Sequence, residues 1–199
     1  MNIFWLVLAV LAWGIIHSIT ASLGAKNWVQ RVLGQAGIRF YRFGYNIFSV
    51  VSFALILWLM AVLPDRILYR IPSPWVYLSL VGQFAAMVFL VVGVLQTDTL
   101  SFVGLRQLVE GNERPSKMVT HGLYHWVRHP LYTAGLLFIW LTPVMSVNSL
   151  IVIFSATIYI IVGALFEERK LEREFGVAYA EYKYATPMLV PGLVFRRNK

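Results

Sequence analysis

The sequence predicts an all-α integral membrane protein with about five transmembrane helices. Three observations predict it. Of the 199 residues, 59% are apolar and only 13% are charged, whereas soluble domains carry about 25% charged residues. Several uncharged runs reach the roughly 20 residues that cross a hydrocarbon core of about 30 Å. The basic residues cluster in alternate connecting segments, as the positive-inside rule requires.

The elements follow in order. Ile3 to Ala21 carries no formal charge and predicts the first span. No Lys or Arg precedes it, so a retained helix is expected rather than a signal peptide. Residues 23 to 44 hold Lys26, Arg31, Arg39 and Arg42 and no acid. Tyr45 to Leu63 predicts a second span, and Pro64 to Pro74 a short turn with Asp65, Arg66 and Arg70. Trp75 to Leu95 predicts a third, with Trp75 and Tyr77 as interfacial anchors. Residues 96 to 129 are polar and interrupted by Gly104, Gly111 and Pro115.

Pro130 to Phe166 then runs 37 residues without a charge, too long for one crossing. Thr142-Pro143 and Ser146 to Ser149 offer a turn, so two short spans in a tight helical hairpin are expected. A charged tail follows, with Gly176 as a helix stop. Residues 1–96 are read as a three-span scaffold and 97–199 as the functional half of one structural domain.

Charge orients the chain. With the N-terminus outside, the inside segments 23–44, 96–129 and 167–199 hold 15 of the 17 Lys and Arg residues. The net charge of +8 therefore reports topology and implies no nucleic-acid partner. The partner it implies is the lipid bilayer, with the C-terminus cytoplasmic. No oligomeric state is assigned. The absence of cysteine excludes disulfides, Cys-ligated metals and thiol nucleophiles.

The stretch THGLYHWVRHPLYTAG places His121, His125 and His129 at helical spacing. Pro130 disfavours α geometry at His129 and suits the first position of a new helix. That break weakens a three-histidine metal site or a haem site, and no metal is assigned. His121 and His125 are read as interfacial histidines with water or backbone partners.

His129 belongs to a longer pattern. GLYHWVRHPLYTAG, then an apolar hairpin, then FEERKLEREFGVAYAEYKYATPMLVP, resembles the isoprenylcysteine carboxyl methyltransferase superfamily. The matching residues are Gly122, Tyr124, Arg128-His129-Pro130, Tyr132, Gly135, Glu167-Glu168, Leu171, Phe175-Gly176, Tyr179 and Pro187. Over more of the chain, HSITAS, YRFGYN, FVGLRQ, WLTPVMS and YIIVGALFEERKL look like the methanethiol S-methyltransferases and the NnrU-type membrane proteins.

The resemblance implies S-adenosylmethionine as methyl donor and a small or lipophilic acceptor, with thiol S-methylation favoured. It implies cofactor contacts at Gln107, Val119, Tyr124, His129, Pro130, Leu131, Tyr132 and Glu167, with Ser116, Lys117 and Met118 adding backbone contacts. A carboxylate is needed for the donor's ammonium, and a cation or N–H groups for its carboxylate. Glu167 and Glu168, Arg128 and His129 supply these types. Two glutamates at a helix C-terminus oppose the dipole, so a cation such as Arg128 is expected beside them. His17, the titratable group of the first span, is a candidate acceptor for a thiol proton. Its alternative is an interhelical hydrogen bond. Gly163 stands where carboxyl-methylating members tend to place an Arg, which argues against an anionic acceptor. Rival readings are isoprenylcysteine carboxyl methylation, phospholipid N-methylation, and a non-catalytic NnrU-type protein binding haem or a partner.

Overall fold

The computed structural model describes residues 2–110 and 118–193. The elements are α1 (Asn2–Ala21), α2 (Leu23–Val62), β1 (Ile67–Arg70), α3 (Trp75–Leu95), α4 (Thr99–Val103), α5 (Leu105–Glu110), α6 (Leu123–Trp126), α7 (Pro130–Trp140), β2 (Val144–Ser146), α8 (Val147–Phe175) and α9 (Val177–Ala185). The strands form a two-stranded sheet. Four helices, α1, α2, α3 and α8, are long and apolar enough to cross a membrane. The protein is a mostly helical, multi-pass membrane protein.

Two elements depart from expectation. The basic segment 23–44, expected as a connection, is the first half of the 40-residue α2. A straight helix of that length would run about 60 Å, twice a hydrocarbon core. Gly34, at φ 61° and ψ −150°, breaks it, and only the half after residue 44 is free of charge. The second departure is α7, expected as the first of two short spans. It has 11 residues, about 16 Å of helix. Extended backbone through β2 continues it, and the Ile71 amide donates to the Pro143 carbonyl at 2.9 Å. Non-helical backbone at membrane depth needs such protein partners.

The chain forms two compact units. One comprises Met1–Ile67, Asp98–Pro115 and Ser146–Val152. Its core gathers Leu6, Ile56 and Val152, with Trp13, Phe53 and Met60 packed against them. Asn148, 1% exposed, donates to the carbonyls of Met60 and Leu63 at 3.3 and 3.2 Å. It thereby satisfies carbonyls that the end of α2 leaves open. Asp65 Oδ1 accepts from the amides of Arg66 at 2.8 Å and Asn148 at 3.0 Å, anchoring the first turn of α8.

The other unit comprises Leu68–Thr97, Ser116–Met145 and Ile153–Lys199. Here α3 packs on α7 through small residues. A Cβ on Gly82 would meet Leu141 at 2.8 Å, and one on Gly93 would meet Leu131 at 2.8 Å. The two glycines thus leave room for leucine side chains of the facing segment, the use of small residues by which membrane helices pack. Polar side chains add to it: Ser79 donates to the Leu141 carbonyl, and Gln83 to that of Phe138 at 2.9 Å.

A pH prediction follows from Asp65. Burial works to raise its pKa, but hydrogen bonds from Ser146, Asn148, Arg66 and Val147 outweigh it and hold the carboxyl below its ordinary 3.8. A depressed carboxylate contributes stability above its unfolded pKa and loses it as pH falls through the folded one. Asp65→Asn is expected to lower the melting temperature at pH 7. The gap from the parent closes below pH 3.8 in thermal scans of detergent-solubilised protein; a gap unchanged at pH 3 would contradict this.

Candidate functional site

The site is built within the second unit, where the segment 121–133, the end of α8 and helix α9 meet. Local sequence sets the backbone. Gly122 takes φ 63°, a backbone conformation that favours glycine, and it sits against the Gln96 side chain. Gln96 Oε1 then accepts from the Leu123 amide at 2.9 Å. Helix α6 stops after four residues and Val127 is extended at φ −146°. His129 caps α7, with Pro130 at its first position, as the R-H-P spacing predicts. His121, His125 and His129 therefore share no helix face, and no metal-holding group of three His, Asp or Glu occurs among the described residues.

Arg128 is the hub. Its guanidinium and the Glu168 carboxylate are almost fully buried, with side chains 8% and 3% exposed. Arg128 Nε donates to Glu168 Oε1 at 2.7 Å, and Nη1 donates to the carbonyls of Lys183, at 3.0 Å, and Thr186. The guanidinium thus caps the C-terminus of α9 while neutralising a glutamate near the end of α8. The cation expected beside the glutamate pair is this one.

The backbone extends the attachment. The Arg128 amide donates to Pro187 O at 2.9 Å and the His129 amide to Met188 O at 3.1 Å. Thr133 Oγ1 donates to Leu189 O at 2.7 Å. Tyr182 donates its hydroxyl to the Tyr124 carbonyl. The chain after α9 is therefore laid along the segment that carries Arg128 and His129.

Glu167 is placed differently. Its side chain is 46% exposed, with Oε2 accepting from the Tyr132 hydroxyl at 2.9 Å and lying 3.7 Å from His129 Nδ1. The His129 and Tyr132 rings stack, with centroids 5.4 Å apart and planes 15° from parallel. His129 Nε2 lies 3.4 Å from Glu168 Oε1. That contact lacks hydrogen-bond geometry, which leaves Nε2 a buried polar atom without a partner among the described residues. The Tyr179 hydroxyl is buried in the same condition.

Burial raises the phenol of Tyr124, pushed up to about 12 with help from the Glu167 charge. Tyr182 also rises to about 12 through burial, against the opposing effect of Arg128. Tyr179 is raised by burial and by Glu168. All three are neutral hydroxyls at physiological pH.

The structure thus gathers Tyr124, Arg128, His129, Pro130, Leu131, Tyr132, Glu167 and Glu168 in one unit. Met118 and Val119 belong to the same unit, in non-helical chain. Ser116 and Lys117 lie outside the described residues. Gln107, on α5, and His17, on α1, belong to the other unit. There, His17 Nε2 sits 2.8 Å from the Tyr45 hydroxyl and its ring 4.8 Å from that of Trp13. Tyr45 also lines an open groove of about 610 Å³, with Val29, Leu33, Phe40 and Thr20. A Cβ on Gly163 would meet nothing within 4 Å, so this glycine serves no close helix contact.

Sequence reasoning missed the roles of Tyr182, Lys183 and Thr186. With Tyr179 they stand at i, i+3, i+4 and i+7, one face of α9, a signal that the spacing in AYAEYKYAT carries.

A methanethiol S-methyltransferase of Crocosphaera subtropica is 32% identical over 186 residues, covering 88% of this chain and 69% of that protein. Methanethiol S-methyltransferase 1 of Bradyrhizobium diazoefficiens is 31% identical over 180 residues, covering 88% and 62%. The enzyme of that name from Pseudomonas deceptionensis is 31% identical over 204 residues, covering 96% and 73%. The chain thus spans less than two thirds of the Bradyrhizobium protein's length. No solved structure matches significantly. The family model described as NnrU protein matches residues 5–195: the chain belongs to the NnrU family.

Proposed function

We propose that this protein is a membrane methyltransferase that moves a methyl group from S-adenosylmethionine to a small or lipophilic thiol. The observation that carries the reading is the division of labour in the glutamate pair. Glu168 is buried against Arg128, while Glu167 keeps a half-exposed carboxylate beside the stacked His129 and Tyr132. The names of the relatives support the same reaction class.

The donor set fits S-adenosylmethionine. Glu167 suits its ammonium, as a charge-assisted acceptor. The Tyr132 and His129 rings suit its sulfonium or adenine. Arg128 has its donors committed to Glu168 and two carbonyls. The donor's carboxylate is therefore assigned to peptide N–H groups of the non-helical stretch at Met118 and Val119. When bound, the donor supplies an electrophilic methyl on sulfur. The protein's part is to orient it, exclude water and receive the acceptor's proton.

The acceptor reading rests on charge. A carboxylate acceptor needs a cation. Beside the glutamate pair, Arg128 is sealed and Lys183 is engaged by Glu168 and Glu172 at 3.0 and 2.8 Å. A neutral thiol meets no such requirement. His17 is the candidate acceptor of the thiol's proton. The topology is N-terminus outside, C-terminus cytoplasmic, with the fifth crossing made by α7 and the extended chain that follows.

Two measurements test this. Calorimetric titration of S-adenosylhomocysteine into detergent-purified protein is expected to show saturable binding, weakened about tenfold by Glu167→Gln, or ~1.4 kcal/mol. A folded parent that does not bind it would sink the reading. His17→Ala is expected to bind cofactor as the parent does but to lose thiol turnover by about 10²-fold. Full turnover by that variant would remove the base role.

A further inference from the structure

Resting on the cofactor reading above, we infer that Lys183, on α9, is a positioning residue for the cofactor site and acts through Glu168. Its ammonium lies 3.0 Å from Glu168 Oε2 and 2.8 Å from Glu172 Oε1. Glu168 is the deeper partner, 2% exposed, and its two oxygens face different ways. Oε1 takes the Arg128 Nε hydrogen bond at 2.7 Å. Oε2 has Lys183.

That division fixes the carboxylate plane, and the plane matters to His129. Its Nε2 stands 3.4 Å from Glu168 Oε1 without a hydrogen bond. Without the lysine, Oε2 becomes a buried charged acceptor lacking its partner, an unfavourable state. Two buried polar atoms near Glu168 lack a hydrogen bond and can answer it, the Tyr179 hydroxyl and the nitrogen His129 Nε2. A carboxylate turned toward that nitrogen pulls the imidazole out of its stack on Tyr132, 5.4 Å away. Tyr132 holds Glu167 Oε2 by a 2.9 Å hydrogen bond. The links run Lys183 to Glu168, to His129, to Tyr132, to Glu167. Lys183 itself, with its side chain 38% exposed, need never touch the cofactor.

Positioning and bare charge predict opposite signs, which makes the inference testable. Removing a positive charge favours a cationic ligand. S-adenosylmethionine carries net positive charge and S-adenosylhomocysteine none. If Lys183 acted through charge alone, its loss would tighten the donor and leave the product analogue unchanged. If it positions the site, its loss weakens both.

The experiment is calorimetric titration of both ligands into the full-length parent, Lys183→Met and Lys183→Arg, with thermal melts of each. Lys183→Met is expected to bind both ligands about tenfold more weakly, while Lys183→Arg returns to within about threefold of the parent. The melts show whether Lys183→Met folds. Lys183→Gln, read the same way, stands in should it not. Binding of S-adenosylhomocysteine by a lysine-free variant within twofold of the parent overturns the inference, and so does tighter binding of the donor alone. No binding by the folded parent instead overturns the cofactor reading on which it rests.

Discussion

The buried ion pair between Arg128 and Glu168 is the constraint on which the site depends. An isolated charge in such surroundings is costly, and removing one partner of a buried pair typically costs about 3–5 kcal/mol. The protein meets that cost by giving the guanidinium further acceptors, the Lys183 and Thr186 carbonyls. Those carbonyls belong to the end of α9. One arginine therefore ties together α8, through Glu168, the segment before α7, through its own backbone, and α9. The backbone hydrogen bonds to Pro187 and Met188 continue the same attachment. With the register of these three pieces fixed, Glu167 is left half-exposed beside a ring stack.

Within each unit the helices meet in ways suited to lipid. The first unit buries few large side chains and caps α2 with Asn148 from the start of α8. The second brings α3 and α7 together over glycines, with Ser79 and Gln83 bonding to carbonyls near the end of α7. Most large apolar side chains on α1, α2 and α3 stay exposed. In water that would be a liability; in a bilayer it is the lipid-facing surface. The short α7 is followed by extended chain whose backbone finds partners, as buried irregular backbone must.

Much of this was legible in the sequence, for identifiable reasons. Uncharged runs marked the four long helices because length and hydropathy are the properties a bilayer selects. Pro130 marked the start of α7 because its ring fixes φ and forgoes a hydrogen bond that the first turn lacks anyway. Hydropathy could not reveal that α7 stops at Trp140, since extended and helical apolar chain look alike to it. Nor could it show that 23–44 is helical up to a break at Gly34, because lysines and arginines read as a connection whether or not the backbone coils. At the site, the types Arg, His, Tyr and Glu were readable, but which glutamate faces outward was not. Glu167 and Glu168 are neighbours in sequence, and only the helical rotation of about 100° per residue sends one to Arg128 and the other to Tyr132.

That rotation explains why two adjacent glutamates serve better than one. A lone carboxylate beside Arg128 would be drawn into the ion pair and leave no anion for a ligand. A lone carboxylate facing outward would leave Arg128 buried without a counter-charge. With both present, the inner glutamate neutralises the hub and the outer one is free to recognise a cation. The same arithmetic extends to α9. Lys183 is held between Glu168 and Glu172 at 3.0 and 2.8 Å, so the inner glutamate answers a second cation through its other oxygen, and α9 is tied to α8 by charge as well as by the arginine's bonds to its carbonyls.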